Sequence, residues 1–375
     1  MFGGKGTTDH AQAVANGPLD SRCQLQLAND MLLWDKSADL DSWVVMGDIG
    51  GAYPHTVLAI FFWLMREVKG FVGAGMRDLK RLYDSNDVYL GLAKGIFSQL
   101  ARRGMGFGEG QVRPPMAFTL VVDLLLCEML ASGVGRVVAE QCIAALAFMD
   151  DLWSHNGTRE DFIKAFSTMK SWARRFRYDW EISKVAAMCV KANGKSMAGT
   201  VVRFLWQADS HLPEAERQAP PLPLSDEEYL SGRAALPKTG RYASAYEIVT
   251  IVLGESVKLL GVRIHQSLSM APHVAAMRGM AAGLLRDLRV MLRRCGDGVR
   301  RRHVFTAWVV YARTAIEWSA ATWGWVPKDI MQALESLQRQ ALVLAAGGGD
   351  ASRALTAWLR RLFGAWPIAD RLASL

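Results

Sequence analysis

Short apolar runs of strand length punctuate the first two thirds of the chain, and a 3.6-residue period takes over in the last third. Residues 43–49 (WVVMGDI) are a β-prone run that ends in an acid and is stopped by Gly50 and Gly51, the pattern of a buried strand met by a turn. Residues 57–68 are apolar on nearly every face and follow Thr56, which predicts a capped, buried helix. Residues 87–100 predict one or two strands. Gly104, Gly106, Gly108 and Gly110 then mark a loop that turns sharply or approaches something closely. Pro114 and Pro115 open an apolar helix reaching about Leu130, since proline is tolerated in a first helical turn. Residues 142–148 are strand-like and meet Met149, Asp150 and Asp151 before a second run at 152–154, which predicts a hairpin with carboxylates at its tip. Phe162, Phe166, Met169 and Trp172 fall near helical spacing within residues 160–176, and residues 183–190 predict the next strand.

Between residues 212 and 238 this patterning lapses among Pro213, Pro220, Pro221, Pro223 and Pro237, which predicts an insertion or surface loop. Residues 246–253 and 257–264 are strand-like again, and residues 271–294, 301–323 and 328–346 are helical in pattern. The expected fold class is α+β.

Composition narrows the picture. A chain of 375 residues with 51% hydrophobic and 21% charged positions buries a large core, which excludes disorder as its main state. The apolar run at 57–65 is too short to cross a bilayer, and the one at 116–130 is interrupted by Asp123 and Glu128, so no membrane partner is expected. Residues 1–8 do not read as a secretory signal. Five scattered cysteines without a CxxC pair argue against a zinc module and against a disulfide framework, and point to a reducing compartment. The net charge of +8 lies wholly in residues 271–375, which hold fifteen Lys and Arg against seven Asp and Glu. Such a basic helical end either binds a polyanion or is a solvated surface.

Asp48 ends one buried strand, and Asp150 and Asp151 sit at the tip of the hairpin. Acids so placed repel one another unless a cation neutralises them, and a pair of Mg²⁺ ions about 4 Å apart is the arrangement that activates a hydroxyl and stabilises a leaving phosphate. For any single Asp, a strand end facing water is the plainer reading.

These segments together resemble the reverse transcriptases of non-LTR, LINE-type retrotransposons. DIGGAY (residues 48–53) resembles the first polymerase motif, and GEGQVRPPMAF (108–118) the loop-to-helix motif. FMDD (148–151) resembles the two-Asp hairpin of the palm, ISK (182–184) the lysine-bearing strand, and KLLGV (258–262) the primer-grip pair. FGGKGTTD (2–9), the segments 271–288 and 317–325, and LESLQRQAL (334–342) complete the family's order across nearly the whole chain. The departures are Glu109 for Gln, Pro114 for Ser, Pro54 for Asp and Glu181 for Asn.

The resemblance implies a right-hand polymerase. Residues 1–192 would be partial fingers and palm, 193–245 an insertion or loop, 246–268 the primer-grip hairpin, and 269–375 a basic helical thumb with C-terminal helices. It implies template-directed DNA synthesis on RNA from a DNA primer and deoxynucleoside triphosphates, with two Mg²⁺ ions or Mn²⁺ in their place, in the nucleus if retroelement-derived. Asp48, Asp150 and Asp151 would bind metal, and Lys184 would act as general acid toward pyrophosphate. Tyr53 would exclude a 2′-hydroxyl unless it is a core aromatic, and that gate disfavours an RNA-directed RNA polymerase. Glu109 and Gly110 would stand beside the nucleotide. Leu260 and Gly261 would hold the primer end, with a plain β-hairpin as the other reading. Arg278, Arg286, Arg289 and Arg293, which share one helical stripe, would meet nucleic acid. The upstream finger strands that hold the triphosphate have no match here, so the expectation for this chain alone is feeble extension or none. The competing expectation is a degenerate or repurposed palm that binds RNA or protein without polymerase activity.

Overall fold

A computed structural model of the chain describes residues 21–50, 56–84, 87–88, 91–93, 96–97, 101–102, 106, 113–138, 140–148, 151–180, 185–208, 222–238, 243–295, 301–318, 328–347 and 356–368. The chain divides into two compact units, residues 35–255 with 1–17, and residues 256–375 with 18–34. Helix α1 (Ser21–Ser37) spans the division.

The first unit is built on β1 (Ser42–Gly50), whose residues 42–46 are buried. Helix α2 (Leu58–Trp63) follows and widens into a π-helical turn, Leu64–Val68, before α3 (Ala74–Asp84). Thr56 does not cap α2. The N-cap is Val57, without a side-chain bond, and the Thr56 hydroxyl meets Tyr178 instead. Nor is that helix buried all round: Leu58, Phe61, Leu64 and Met65 face the core while Trp63 and Val68 are exposed.

Four short strands follow, β2 (Asp87–Val88), β3 (Gly91–Ala93), β4 (Ile96–Phe97) and β5 (Ala101–Arg102), with the β3/β4 ladder nested in sequence inside the β2/β5 ladder. The long helix α4 (Arg113–Ala131) keeps its two acids by pairing them, Asp123 with Lys69 and Glu128 with Arg175. The strand expected over 142–148 is broken into β7 (Gln141–Ile143), which pairs with β6 (Arg136–Val138), and β8 (Leu146–Phe148), which pairs with β9 (Asp151–Asn156). Gly135 is required at the entry to β6, because at its φ of +117° a Cβ would lie 2.4 Å from the Ile143 carbonyl oxygen.

Helix α5 (Arg159–Phe176) starts where the Thr158 hydroxyl accepts the Asp161 N–H and ends at Arg177 in the left-handed region. The four aromatic and Met positions read from its period are all buried, beneath β1 and β9. Strands β10 (Asp179–Trp180) and β11 (Ala186–Val190) return to β1. The resulting five-stranded antiparallel sheet has the order β10-β1-β9-β8, with β11 also on β1. The segment read as an insertion carries a full strand, β12 (Val201–Gln207), and a short helix, α6 (Asp226–Leu230). Strand β12 pairs along its length with β13 (Tyr246–Val252), so residues 246–252 join the first unit and not the following hairpin. Strand β12 alternates in burial, but apolar Val201 and Leu205 occupy its less buried positions, which blurs the period in the sequence, and prolines follow it.

The second unit begins with a hairpin, β14 (Ser256–Leu259) and β15 (Val262–His265), followed by α7 (Ala271–Cys295). The next helix is α8 (Arg301–Ala307), a π-helical turn Trp308–Arg313, and α9 (Thr314–Trp318). Helix α10 (Lys328–Ala345) and an unforeseen α11 (Thr356–Phe363) complete it. Its core is several small clusters, such as Ala281, Leu285, Trp308, Ala312, Leu337 and Ala341. Mixed helices and small antiparallel sheets make the chain α+β, and no helix among the described residues is long and apolar enough to cross a membrane. Among the described residues, Cys23, Cys127, Cys142 and Cys189 form no disulfide.

Candidate functional site

The β1/β9 ladder runs from Trp43 opposite Asn156 to Asp48 opposite Asp151. Its last rung therefore sets two acidic positions side by side. Antiparallel register partners share a face of the sheet with Cβ atoms roughly 5 Å apart, and like charges so placed destabilise the pair. The approach to this rung is dry: Met46, Leu152 and Trp153 are buried, and Asp151 itself is half-buried. Strand β8 ends at Phe148 opposite the same Asp151, so only Met149 and Asp150 connect the two strands. Asp150 lies outside the described residues, as do Tyr53, Glu109, Gly110 and Lys184.

On the other edge of β1, β11 pairs with residues 42–46 and β10 with Ile49 and Gly50. Gly47 and Asp48 fall between the two partners. The chain joining those partners is residues 181–185, which include Lys184. Two oxygen-donor positions on one rung, with a third carboxylate next in the chain, are the donor set of a hard divalent cation. Among the described residues no group of three or more His, Cys, Asp or Glu forms such a site, and Asp150 is not among them.

The sheet behind this rung is pinned by a buried hub. Asp35 is fully buried and accepts the Ser42 hydroxyl at 2.7 Å, Arg136 Nε at 2.8 Å, and a 2.8 Å bond with His155 Nε2. Burial works to raise its pKa, but the bonds from His155 and Ser42 outweigh it and hold the carboxyl below the usual carboxylate value. His155 lies four residues along β9 from Asp151, so the hub fixes the strand that carries the acid. Sequence reasoning missed it, because Asp35 lies 101 positions from Arg136 and 120 from His155 in the chain and no local period links it to them.

In the second unit, Leu260 and Gly261 are the two residues at the tip of the β14/β15 hairpin, with φ of +47° and +87°. Two positive φ values are what a tight hairpin turn matching the strand twist demands. Leu260 is held there although it is not glycine, its carbonyl accepting Trp318 Nε1–H at 2.7 Å. Strand β15 is fastened to α7 by the Arg263 N–H, which donates to His273 Nδ1 at 3.2 Å. Burial, with the charge of Arg263, pushes His273 down to about 4. One face of the hairpin, Val257, Leu259, Val262 and Ile264, is buried. On the other, Lys258 and Arg263 are exposed register partners, a cationic rung that the sequence reading passed over.

Arg278, Arg286, Arg289 and Arg293 are all exposed on α7. At about 100° per residue they fall within roughly 80° of arc, so they form one stripe. Arg289 donates to Gln340 of α10 at 3.4 Å, and Arg278 lines a groove of about 440 Å³ between α7 and α10, walled by Ala275, Gly279, Ala282, Ala333 and Ser336.

No family model and no curated protein matches the chain. Among solved structures it is similar to telomerase from Candida albicans, determined in complex with a fragment of telomeric RNA, at a TM-score of 0.44 and 8% identity. The match covers 94% of this chain and 55% of that one, so the chain spans about half the length of the telomerase structure, and the low score leaves assignment to the chain's own geometry.

Proposed function

We propose that this chain is an RNA-directed DNA polymerase of the non-LTR retrotransposon type, acting by two-metal nucleotidyl transfer. The observation that carries the reading is the acidic rung: Asp48 of DIGGAY and Asp151 of FMDD, 103 residues apart in sequence, are register partners. The sheet β10-β1-β9-β8 with α4 and α5 would be the palm, and α7 to α11 the thumb. Asp48, Asp150 and Asp151 would hold Mg²⁺, which when bound activates the primer hydroxyl and stabilises the leaving phosphate.

The chain's own residues then position the substrates. Lys184 would reach the leaving pyrophosphate from the segment that joins the two partners of β1 on the Asp48 edge. Leu260 and Gly261, on a tip tethered by Trp318, would meet the primer end. Lys258, Arg263 and the arginine stripe of α7 would take phosphates of the template-primer duplex, releasing counterions. Tyr53 would select against a 2′-hydroxyl, and Glu109 and Gly110 would border the nucleotide.

The test is primer extension by the purified chain on a homopolymer RNA template with Mg²⁺. Incorporation of deoxynucleotides that stops in Asp151→Asn supports the reading. Tight binding of RNA/DNA hybrid without extension under Mg²⁺ or Mn²⁺, even with an upstream finger segment supplied in trans or by fusion, would replace it with a non-catalytic palm that binds nucleic acid.

A further inference from the structure

Residues 1–270 balance their charges overall, yet residues 63–81 hold five Lys and Arg against two Asp and Glu. This stretch runs through the helical hairpin of α2, its π-helical turn and α3, whose far ends meet where Phe62 lies edge-on to Tyr83 at 6.0 Å. One side of the hairpin joins the core through Phe61, Leu64, Met65 and Tyr83. The other leaves apolar side chains in solvent: Trp63 is 52% exposed, Val68 46%, Phe71 50% and Val72 76%. The π-helical turn brings Val68 round to the side of Trp63, and turns of this kind are rare and recur at functional sites. The Phe71 N–H donates to the Met65 carbonyl at 2.9 Å, which holds Phe71 against the same turn. Gly70 and Gly73, with φ of +69° and +92°, make the reversal, and a Cβ on either, or on Gly75, would meet nothing within 4 Å. Arg66 pairs with Glu67, Arg81 with Asp78, and Lys69 with Asp123. Arg77 and Lys80, exposed and three residues apart on α3, have no acidic partner among the described residues.

We propose that this hairpin is a platform for single-stranded nucleic acid, on which unpaired bases stack against Trp63 and Phe71 while Arg77 and Lys80 take the phosphates. The uncompensated cations select a polyanion, and the rings select among polyanions. A duplex keeps its base faces inside its own stack, so half-exposed rings gain little from it, whereas a single strand offers free π-faces with a phosphate at each step. Val68 and Val72 extend the apolar bed beside the rings. A second copy of the chain is the poorer occupant, because a two-fold contact sets the same patch against itself and brings Arg77 and Lys80 against their own copies. The platform owes nothing to the acidic rung and stands whether or not the chain extends primers.

The experiment uses the full chain and follows, by fluorescence anisotropy across a salt series, the binding of a labelled oligouridine of about 12 nucleotides and of a blunt RNA/DNA hybrid. Trp63→Leu with Phe71→Leu keeps the apolar surface and removes the rings. That pair should weaken oligouridine binding about tenfold or more, with the salt slope and the hybrid affinity unchanged. Arg77→Ala with Lys80→Ala should lower the oligouridine salt slope by about 1.4, at roughly 0.7 per phosphate contact on a single strand. The alanine pair lies on the outer face of α3, so it tests the phosphate contacts even where the leucine pair lowers the melting temperature. Oligouridine affinity unchanged in a folded leucine pair, an equal loss for the blunt hybrid, or a salt slope that ignores the alanine pair overturns the platform. A wild-type chain that sediments as a dimer at concentrations where it binds no oligouridine overturns it in favour of a second copy.

Discussion

Each unit of this chain contains an antiparallel rung that sets like charges opposite one another, and the two rungs stand in different surroundings. In the first, Asp48 faces Asp151 at the end of a ladder whose preceding rungs are buried. In the second, Lys258 faces Arg263 on the open face of a hairpin, both exposed, with Arg263 also reaching the Ser256 hydroxyl at 3.4 Å. Water and salt screen the second pair, so its repulsion costs little. Asp151 is half-buried and screened less, and a bound cation would resolve the opposition by turning mutual repulsion into shared attraction. Under the proposed function, the same local arrangement would hold metal in one unit and a polyanion in the other.

The largest effect separating the two rungs should come from Asp151→Asn or Asp48→Asn. Either change is expected to lower Mg²⁺-dependent primer extension by about a thousandfold or more, since the metals supply several kcal/mol of transition-state stabilisation. Wild type should gain melting temperature with Mg²⁺ and the variants should gain much less; equal gains would remove the metal from this rung.

The buried hub should respond in stability instead. Asp35→Ala leaves Arg136 and the buried His155 without their shared acceptor, and is expected to cost about 3 to 5 kcal/mol of stability, read by denaturant unfolding. A loss under about 1 kcal/mol would show that the hub is dispensable.

Acid should then distinguish the units by pH. His273 is held to about 4, below its ordinary value near 6.5, so the unfolded chain binds the extra proton between those limits and stability rises with pH across that window. Its contribution is complete above pH 6.5 and is lost as pH falls toward 4, up to roughly 3 kcal/mol. Asp35 is held below 3.8, so its contribution is complete above that value and is lost only as pH falls further. The second unit should therefore loosen first on acidification, followed by the indole signal of Trp318 and Trp308, and His273→Asn, which keeps an acceptor in place without the titration, should flatten the slope.

The smallest effect is expected from the cationic rung. Lys258→Ala with Arg263→Ala should reduce the salt slope of RNA/DNA hybrid binding by nearly 2 and leave melting almost unchanged. Removing Arg278, Arg286, Arg289 and Arg293 should flatten it further. Unaltered slopes would return these side chains to solvated surface.

Much of this was legible locally. The period of Phe162, Phe166, Met169 and Trp172 located α5 and its buried face, because a helix has one stripe to hide and these residues occupy it. Strand β1 and the β8/β9 hairpin followed from apolar runs closed by polar turns, and the long α7 from its unbroken pattern. Even the two acid-bearing motifs stood out by order and spacing. Strand β12 did not, since apolar Val201 and Leu205 occupy its less buried positions and its partner lies beyond a proline-rich stretch. Thr56 was misread for a related reason: a threonine before a helix has the local chemistry of a cap, and only Tyr178, 122 positions away, diverts its hydroxyl.

What the amino-acid sequence determined by itself was therefore the set of elements and the residue types at their ends, because periodicity and turn chemistry act over a few neighbouring residues. Which of those ends meet was decided by tertiary structure alone. Register between β1 and β9 brings residue 48 to residue 151, and the fold closes Asp35 on His155 and Thr56 on Tyr178 and Gly106. Those pairings depend on burial and on satisfying polar groups across distances in the chain that no local pattern encodes.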